Sequence, residues 1–331
     1  MIHFGIIGYG HIGKRHAAHI IKHTEAKLTA ICDIDNEQLR TVDTDIKTFT
    51  KIEDFLKHTP LDVVSVCTPN FLHHPHTIQA LKAGLHVICE KPMSLSSLHS
   101  QDMIDTAAQA QKKIFVVKQN RYNPPVQAVK QLLASDKLGK LFFIQVNCFW
   151  NRNQHYYHQS AWRGTKQKDG GCLYTQFSHF VDILYYLFGD MDVLAGNIKN
   201  CNHPYIEIED TGSFIMRAKN SGAIVNFNFS TSSFEKNMEG AITLLAEKGT
   251  LKIGGQYLNT IEYQHIQEVH LPDIQIQAKS NDYGLYQGSM SNHDQMIDNV
   301  VQTLLGKQEI MTSGNEGKQV IEIIERMYAA C

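Results

Sequence analysis

The sequence lacks the features of a membrane protein or of a disulfide-stabilised secreted protein. No part of the 331 residues reaches the roughly 18 consecutive apolar residues that a membrane-spanning helix needs. The N-terminus has no basic flank before its short apolar run, so we interpret it as a strand and not as a signal peptide. The seven cysteines are odd in number and form no CxxC pair, which indicates reduced thiols and favours a cytoplasmic location.

An excess of charge of either sign is also absent. Lysine and arginine total 31 and aspartate and glutamate total 33, so the formal net charge is −2. Such a chain has no overall field to attract nucleic acid or an anionic membrane, and we expect neither as a partner. Histidine is plentiful, with 18 residues, and the HHPH run at 73–76 invites a zinc interpretation. No cysteine or carboxylate stands at ligand spacing from it, so we expect no metal.

The length predicts two domains at roughly 100–200 residues each. We place them at residues 1–122 and 123–331. In the first, short apolar runs alternate with amphipathic stretches, which is typical of a doubly wound parallel sheet, the Rossmann type of α/β fold. The predicted strands span residues 2–7, 28–32, 63–67, 86–89 and 114–117, and the predicted helices span residues 14–23, 52–57, 76–83 and 98–111.

The first predicted strand ends in GYGHIG, which matches GxGxxG at Gly8, Gly10 and Gly13. In this context the glycines permit a tight turn, a close approach of the backbone to a pyrophosphate, and packing of the following helix against the strand. The helix N-terminus, with His11 and Ile12, would offer N–H groups to the phosphates. The motif therefore predicts a dinucleotide cofactor.

Asp33 follows the second predicted strand, 20 residues after Gly13. A carboxylate at this position accepts hydrogen bonds from both ribose hydroxyls and repels a 2′-phosphate. The residues that follow directly contain no arginine. The cofactor predicted is therefore NAD and not NADP, and the alternative is an aspartate that only caps a turn.

Polar residues follow two further strands, where ligands bind in such sheets. The segment CTPN is followed by a histidine three residues later, and the segment CEKP follows the next strand. Taken alone, the lysine of CEKP could be a salt-bridged surface residue. The candidates for cofactor binding are Thr68, Asn70, His73, Glu90 and Lys91.

The second half changes to period-two patterns. Residues 144–150 and 222–230 alternate apolar with polar side chains, which predicts an antiparallel sheet with one polar face. A sheet face that no other element of the chain covers is commonly covered by another subunit, so we expect a homo-oligomer, either a dimer or a tetramer. Two helices end the chain, and SGNE at 313–316 has capping-box spacing.

GxGxxG, TPNxxH and EKP, in this order and spacing, resemble the Gfo/Idh/MocA family, which includes glucose–fructose oxidoreductase and inositol dehydrogenase. QNRYNPP at 119–125 and GGCLYTQFSHFVD at 170–182 are also similar to it. The resemblance spans nearly the whole chain. It implies an NAD-binding Rossmann domain followed by an open α/β domain with a mostly antiparallel sheet, and it implies that Lys91 is catalytic.

His179 stands at the start of an apolar helical segment. Spacing alone favours a core or capping histidine, whereas the resemblance implies the residue that exchanges a proton with the reacting hydroxyl. The sequence departs from the family pattern four residues earlier. Thr175 stands where many sugar and inositol dehydrogenases of the family have aspartate, and a threonine cannot raise the pKa of the imidazole as a carboxylate would.

The stretches FWNRN, YYHQSAWRGT and LYTQFSHFVD look closest to the UDP-N-acetylglucosaminuronate 3-dehydrogenase branch. This resemblance implies oxidation at C3 of a UDP-linked N-acetyl amino sugar uronate. The guanidinium of Arg163 is suited to the uronate carboxylate or the diphosphate. Alternatives are a free-sugar or inositol dehydrogenase and a catalytically silent NAD-binding sensor. The expected substrate-binding residues are Lys91, Asn120, Arg121, Arg163, Thr175, Gln176 and His179.

Overall fold

The computed structural model describes residues 1–272, 274, 280–282 and 287–331. The chain divides into two compact units, one formed by residues 1–118 and 293–321, the other by residues 119–292 and 322–331. This division differs from the predicted single boundary between residues 122 and 123, because a C-terminal segment returns to the first unit. Val116 N–H donates to the Thr312 carbonyl oxygen at 3.0 Å, so this segment continues the hydrogen bonding of the first sheet.

The first unit contains a six-stranded sheet with the order β3-β2-β1-β4-β5-β6. Every strand pair is parallel, as predicted. The chain order reverses between β1 and β4, and ligands of such sheets bind where the carboxyl ends of strands flank this reversal. The elements are β1 (Ile2–Ile7), α1 (His11–Lys22), β2 (Ala26–Cys32), α2 (Asn36–Leu39), β3 (Lys47–Phe49), α3 (Ile52–Phe55), β4 (Val63–Val66), α4 (His73–Lys82), β5 (His86–Cys89), α5 (Ser97–Gln109) and β6 (Ile114–Val116), with a 3-10 turn at Asn70–Leu72.

The HHPH run forms the first turn of α4, where a proline is tolerated. Its three imidazoles do not share one partner, because His73 and His76 both contact Thr68 whereas His74 contacts Asp102. His74 Nε2 lies 2.7 Å from a carboxylate oxygen of Asp102, and His76 Nδ1 lies 3.2 Å from Thr68 Oγ1. The run therefore does not gather its side chains around one point.

The second unit contains a seven-stranded sheet with the order β13-β12-β11-β7-β10-β9-β8. Its neighbours pair antiparallel except for β7 and β10, which are parallel. The predicted, mostly antiparallel sheet is confirmed. The elements are α6 (Pro124–Ala134), β7 (Leu141–Phe149), α7 (Gln154–His158), α8 (Cys172–Thr175), α9 (Ser178–Phe188), β8 (Met191–Lys199), β9 (Thr211–Ala218), β10 (Ile224–Ser230), β11 (Glu239–Ala246), β12 (Gly249–Gly254), β13 (Thr260–Ile266), β14 (Ser280–Asp282) and β15 (Gln287–Met290), with a 3-10 turn at Gln119–Tyr122.

Two helices follow, α10 (His293–Leu304) and α11 (Gly314–Ala329). The predicted capping box is confirmed, because Ser313 N–H donates to Glu316 Oε2 at 3.2 Å and Glu316 N–H donates to Ser313 Oγ at 3.4 Å. Among the helices in the described ranges, none has the length and apolar character needed to cross a membrane.

Candidate active site

The turn between β1 and α1 is shaped by glycines. Gly8 has a φ of 91°, a conformation that disfavours other residues. A Cβ on Gly13 would lie 2.0 Å from the Gly8 carbonyl oxygen, so α1 packs this closely only because Gly13 has none. A Cβ on Gly10 would meet nothing within 4 Å, and Gly10 precedes α1 without a side-chain cap. Open space before the first helical residues, His11 and Ile12, fits a pyrophosphate.

Asp33 follows β2, and its carboxylate holds the glycine turn. Oδ2 accepts a hydrogen bond from Tyr9 N–H at 2.5 Å, and Oδ1 accepts one from Asp35 N–H at 2.8 Å. A carboxylate has about four acceptor positions, so capacity for ribose hydroxyls remains. The next arginine in the sequence, Arg40, forms an ion pair with Glu37 at 2.5 Å. This arrangement fits NAD and would repel the 2′-phosphate of NADP.

His73 joins two loops that follow neighbouring strands. Its Nδ1 lies 2.6 Å from the Pro92 carbonyl oxygen, and its Nε2 lies 2.8 Å from the Thr68 carbonyl oxygen. Burial lowers the pKa of His73, although both carbonyls oppose this shift. Because both ring nitrogens are engaged within the unit, this placement favours support of the loops over the predicted cofactor contact. Thr68 and the buried Asn70 lie on the loop that His73 holds.

Glu90 lies at the centre of a buried hydrogen-bonded cluster. Its Oε1 accepts a hydrogen bond from His16 Nε2 at 2.9 Å, and its Oε2 accepts one from Lys91 N–H at 3.0 Å. The other ring nitrogen of His16 lies 2.9 Å from Ser65 Oγ. Burial would raise the pKa of Glu90, but the hydrogen bond and charge of His16 outweigh it and bring the pKa to about 2. The cluster therefore holds the backbone that carries the Lys91 side chain.

A second histidine, His293 at the start of α10, approaches the same carboxylate at 3.9 Å. Burial lowers the pKa of His293 to about 3, and its Nδ1 has no hydrogen-bond partner among the described residues. Ligand atoms of His16, Glu90 and His293 all lie within 4.8 Å of one another. The shortest contact, between His16 Nε2 and Glu90 Oε1, has the length of a hydrogen bond. Because a hydrogen bond explains this contact, we assign no metal to the cluster.

His179 lies in the first turn of α9 in the second unit. Gly170 and Gly171, with φ of 90° and 125°, lead through the short helix α8 into α9, which is apolar almost throughout and is capped at its C-terminus by Gly189. The side chain of His179 is buried. A shielded imidazole of this kind can exchange a proton with a bound ligand without competition from bulk water.

Thr175, four residues before His179, is bonded to a buried carboxylate. Its hydroxyl donates to Asp169 Oδ1 and also lies 3.2 Å from the Asp169 carbonyl oxygen. Asp169 is 1% exposed, and its Oδ2 accepts a hydrogen bond from Gly164 N–H at 2.7 Å. The carboxylate of Asp169 therefore lies beside residue 175, although residue 175 itself has only a hydroxyl.

Gln176 belongs to a buried polar layer built on Arg152. Arg152 Nε donates to Gln176 Oε1 at 2.9 Å, and Arg152 Nη1 donates to Asn237 Oδ1 at 3.3 Å. The Arg152 guanidinium lies 5.0 Å from the ring centroid of Trp150. The Gln176 amide nitrogen donates to Tyr156 Oη at 2.5 Å. Both ends of the Gln176 amide are therefore used to orient Arg152 and Tyr156.

Arg163 stacks on the same tyrosine, with its guanidinium 4.4 Å from the centroid of the Tyr156 ring. Its Nη1 donates to the Tyr156 carbonyl oxygen at 3.1 Å and to Gln159 Oε1 at 2.7 Å. Arg152 lies 5.4 Å from that ring, so two guanidinium groups meet at one aromatic side chain. Paired guanidinium groups suit a carboxylate or phosphate ligand.

Both halves of the chain match models of one family. Residues 2–118 match the oxidoreductase family, NAD-binding Rossmann fold model of Gfo/Idh/MocA, and residues 126–252 match the Gfo/Idh/MocA C-terminal domain. The chain belongs to the Gfo/Idh/MocA family. It is a member of an NAD-dependent oxidoreductase family of the sugar-dehydrogenase type, and its cofactor is NAD.

Two solved structures are similar to this Gfo/Idh/MocA chain over 99% of its length, both in complex with NADH and UDP-GlcNAcA. The WlbA dehydrogenase from Bordetella pertussis is 33% identical, with a TM-score of 0.89 over 96% of that chain. WlbA from Chromobacterium violaceum is 34% identical, with a TM-score of 0.91 over 93% of that chain. Glucose-6-phosphate 3-dehydrogenase of Bacillus subtilis is 26% identical over 75% of this chain and 73% of its own.

Two neighbouring residues of this Gfo/Idh/MocA chain, both expected to bind substrate, lie in different environments. Arg121 is fully buried, and its Nε and Nη2 donate to the two carboxylate oxygens of Asp182 on α9 at 3.0 and 2.7 Å. This bidentate pair gives Arg121 a structural role in holding α9. The amide atoms of Asn120 are buried with no hydrogen-bond partner among the described residues, which suits a ligand-binding side chain.

Sequence reasoning missed three residues that organise these sites. His16 and His293 belong to the Glu90 cluster, and Arg152 carries Gln176. His16 stands three residues after Gly13, but nothing in the sequence joins it to His293 near the other end of the chain. Arg152 stands in FWNRN, where the available signal was Trp150, two residues earlier.

Proposed function

We propose that this Gfo/Idh/MocA enzyme oxidises the C3 hydroxyl of a UDP-linked N-acetyl amino sugar uronate, with NAD as the oxidant. The observation that carries the proposal is the whole-chain similarity, at 33% and 34% identity, to two WlbA enzymes solved with NADH and UDP-GlcNAcA. The glucose-6-phosphate 3-dehydrogenase relative supports C3 of a sugar as the position attacked.

The chemistry converts a secondary alcohol to a ketone. Bound NAD⁺ supplies the acceptor for the hydride from C3. His179 accepts the proton of the C3 hydroxyl as the carbonyl forms. The Lys91 ammonium donates a hydrogen bond to the same oxygen and stabilises the negative charge that develops there. The products are the 3-keto sugar and NADH, and the proton leaves through the imidazole.

Cationic and amide groups of the second unit account for the acidic substrate. Arg163, with Arg152 at the same tyrosine ring, supplies guanidinium groups for the uronate carboxylate or the diphosphate. Asn120 supplies a buried amide for a sugar hydroxyl or the N-acetyl group. Thr175 lies on the turn that precedes His179 and completes the proposed sugar contacts, and Gln176 supports the site by orienting Arg152 and Tyr156.

The outer face of the seven-stranded sheet supports a homo-oligomer. Ile215, Ile224, Leu245 and Tyr263 are exposed by 49%, 52%, 40% and 54%, and the strand register places them on one face. A second copy covering this face would remove their apolar surface from water. Light scattering coupled to gel filtration measures the subunit count. The unpaired cysteines agree with a reducing compartment, and we propose the cytoplasm.

NADH absorbance with a matched panel tests the substrate. UDP-GlcNAcA should be oxidised, and UDP-GlcNAc, which lacks the carboxylate, should react at least about tenfold more slowly in kcat/KM. Activity on free sugars or inositol alone would support the free-sugar alternative. NAD binding with no reaction in either set would support the silent sensor.

One relative calls for a second measurement on the same panel. The 2,7-anhydro-N-acetylneuraminate hydratase of Escherichia coli is 26% identical over 77% of this chain. A hydratase reaction has no net redox change, so NADH need not accumulate if the cofactor is reoxidised in place. Product analysis by mass spectrometry distinguishes a 3-keto product from water addition.

A further inference from the structure

The contact between Thr175 and Asp169 restricts what the threonine can do toward a ligand. A hydroxyl carries one hydrogen and two acceptor lone pairs. The Thr175 hydrogen is directed to Asp169, which offers both Oδ1 and its carbonyl oxygen to the same hydroxyl. With its hydrogen committed to Asp169, Thr175 Oγ1 can act toward another group only as an acceptor.

Asp169 is held so that it cannot easily turn away from this role. Its Oδ2 accepts Gly164 N–H at 2.7 Å, and its own N–H donates to the Thr165 carbonyl oxygen at 3.0 Å. The residue is 1% exposed, so water does not compete for the carboxylate. In such surroundings a charged acceptor polarises the hydroxyl and increases the negative charge on Oγ1.

We propose that Asp169 is a positioning residue for the reaction: it fixes Thr175 Oγ1 as an obligate hydrogen-bond acceptor for an O–H or N–H group of the sugar. The inference rests on the proposed function, because it assumes that the turn before His179 faces the sugar. It assigns to this pair the selection of a hydroxyl or amide donor over a carbonyl oxygen at the same position. Because the single hydrogen of the C3 hydroxyl goes to His179, the donor to Thr175 is a neighbouring hydroxyl or the acetamido N–H of the sugar.

A double-mutant cycle tests whether Asp169 acts through Thr175. Thr175→Val keeps the shape but removes the hydroxyl, and kcat/KM for UDP-GlcNAcA should fall about 10- to 100-fold. Asp169→Asn should lower it about tenfold, because the amide can donate to the threonine and reverse its hydrogen bond. The double variant should be no worse than Thr175→Val by more than about twofold. Thr175→Ser should retain activity within about threefold.

The matched control is Thr211→Val. Thr211 Oγ1 donates to Oδ1 of Asp210, another buried aspartate, at 2.9 Å. The substitution therefore removes the same kind of hydrogen bond elsewhere in the second unit. Its kcat/KM should stay within about twofold of the wild-type value. A second readout is the affinity of the NADH-loaded proteins for UDP-GlcNAcA by calorimetry, which requires no turnover. NADH binding by fluorescence should be equal in all variants.

The outcomes separate the two proposals. Wild-type protein that neither binds nor oxidises UDP-GlcNAcA would overturn the proposed function and this inference together. Wild-type activity with additive losses in the double variant, or with equal losses in Thr175→Ser and Thr175→Val, would overturn the inference alone. A tenfold loss in Asp169→Asn that vanishes in the Thr175→Val background would support it.

Discussion

Replacing His293 by glutamine should make the protein less sensitive to mild acid. The imidazole is buried, and burial lowers its pKa from 6.5 to about 3. Glu90 opposes this shift, whereas His16, Arg15 and His19 add to it. In the unfolded chain the histidine binds a proton below about pH 6.5, while the folded chain leaves it neutral. Stability is therefore fully present above this value and is lost as the pH falls toward about 3.

The size of the effect follows from the difference between the two pKa values. Each pH unit below the unfolded pKa lowers the free energy of unfolding by about 1.4 kcal/mol. Between about pH 7 and about pH 5, His293 should account for a loss of about 2 kcal/mol. For a unit of this size the loss corresponds to a Tm decrease of roughly 4–8 °C. Glutamine removes the titration and keeps a polar group near Glu90.

Scanning calorimetry at the two pH values provides the assay. The Tm of the wild type should fall by roughly 4–8 °C more than that of His293→Gln. His265→Gln, which changes an exposed histidine, is the control and should follow the wild type. Parallel pH dependence in wild type and His293→Gln would refute the reasoning, because it would mean that His293 is not held neutral in the folded state.

Three further predictions concern the reaction and its cofactor. His179→Ala and Lys91→Ala should each lower kcat by roughly 10²- to 10⁴-fold in the NADH absorbance assay, while His179→Ala keeps NADH affinity within about threefold; near-normal turnover in both would contradict their roles. Asp33→Ser should weaken NAD binding by about tenfold and reduce the preference for NAD over NADP, measured as the ratio of kcat/KM values; an unchanged ratio would show that Asp33 only holds the turn. Prolonged treatment with EDTA should leave both kcat and Tm unchanged, and a decrease in Tm that Zn²⁺ reverses would assign a metal to His16, Glu90 and His293.

Local patterns predicted the parts of the fold that local physics determines. Apolar runs and the glycine turn identified β1, β2, β4 and β5 because buried parallel strands are continuously apolar. The short strand Lys47–Phe49 was missed because it lies at the sheet edge with partly exposed side chains. The parallel pairing of β7 with β10 also had no local signal, because period two does not distinguish strand directions.

In the candidate sites too, contacts that arise from tertiary folding could not be predicted from local patterns. Gly8, Gly13 and Asp33 were predictable because their spacing follows from one turn and one crossover. The partner of Thr175 was not, although Asp169 is only six residues away, because nothing in the spacing reveals that the loop folds the carboxylate back. The burial of Arg121 against Asp182, 61 residues later, is a tertiary contact.

The return of residues 293–321 to the first unit affects when this unit can finish folding during synthesis on the ribosome. The edge strand Ile114–Val116 receives the backbone at Thr312 and Ser313, long after the rest of its sheet has been synthesised. The Rossmann sheet must therefore wait until Thr312 and Ser313 have been synthesised before that edge is closed. Until then a nascent chain would display an unpaired parallel edge, the kind of surface on which chaperones act and from which aggregation begins.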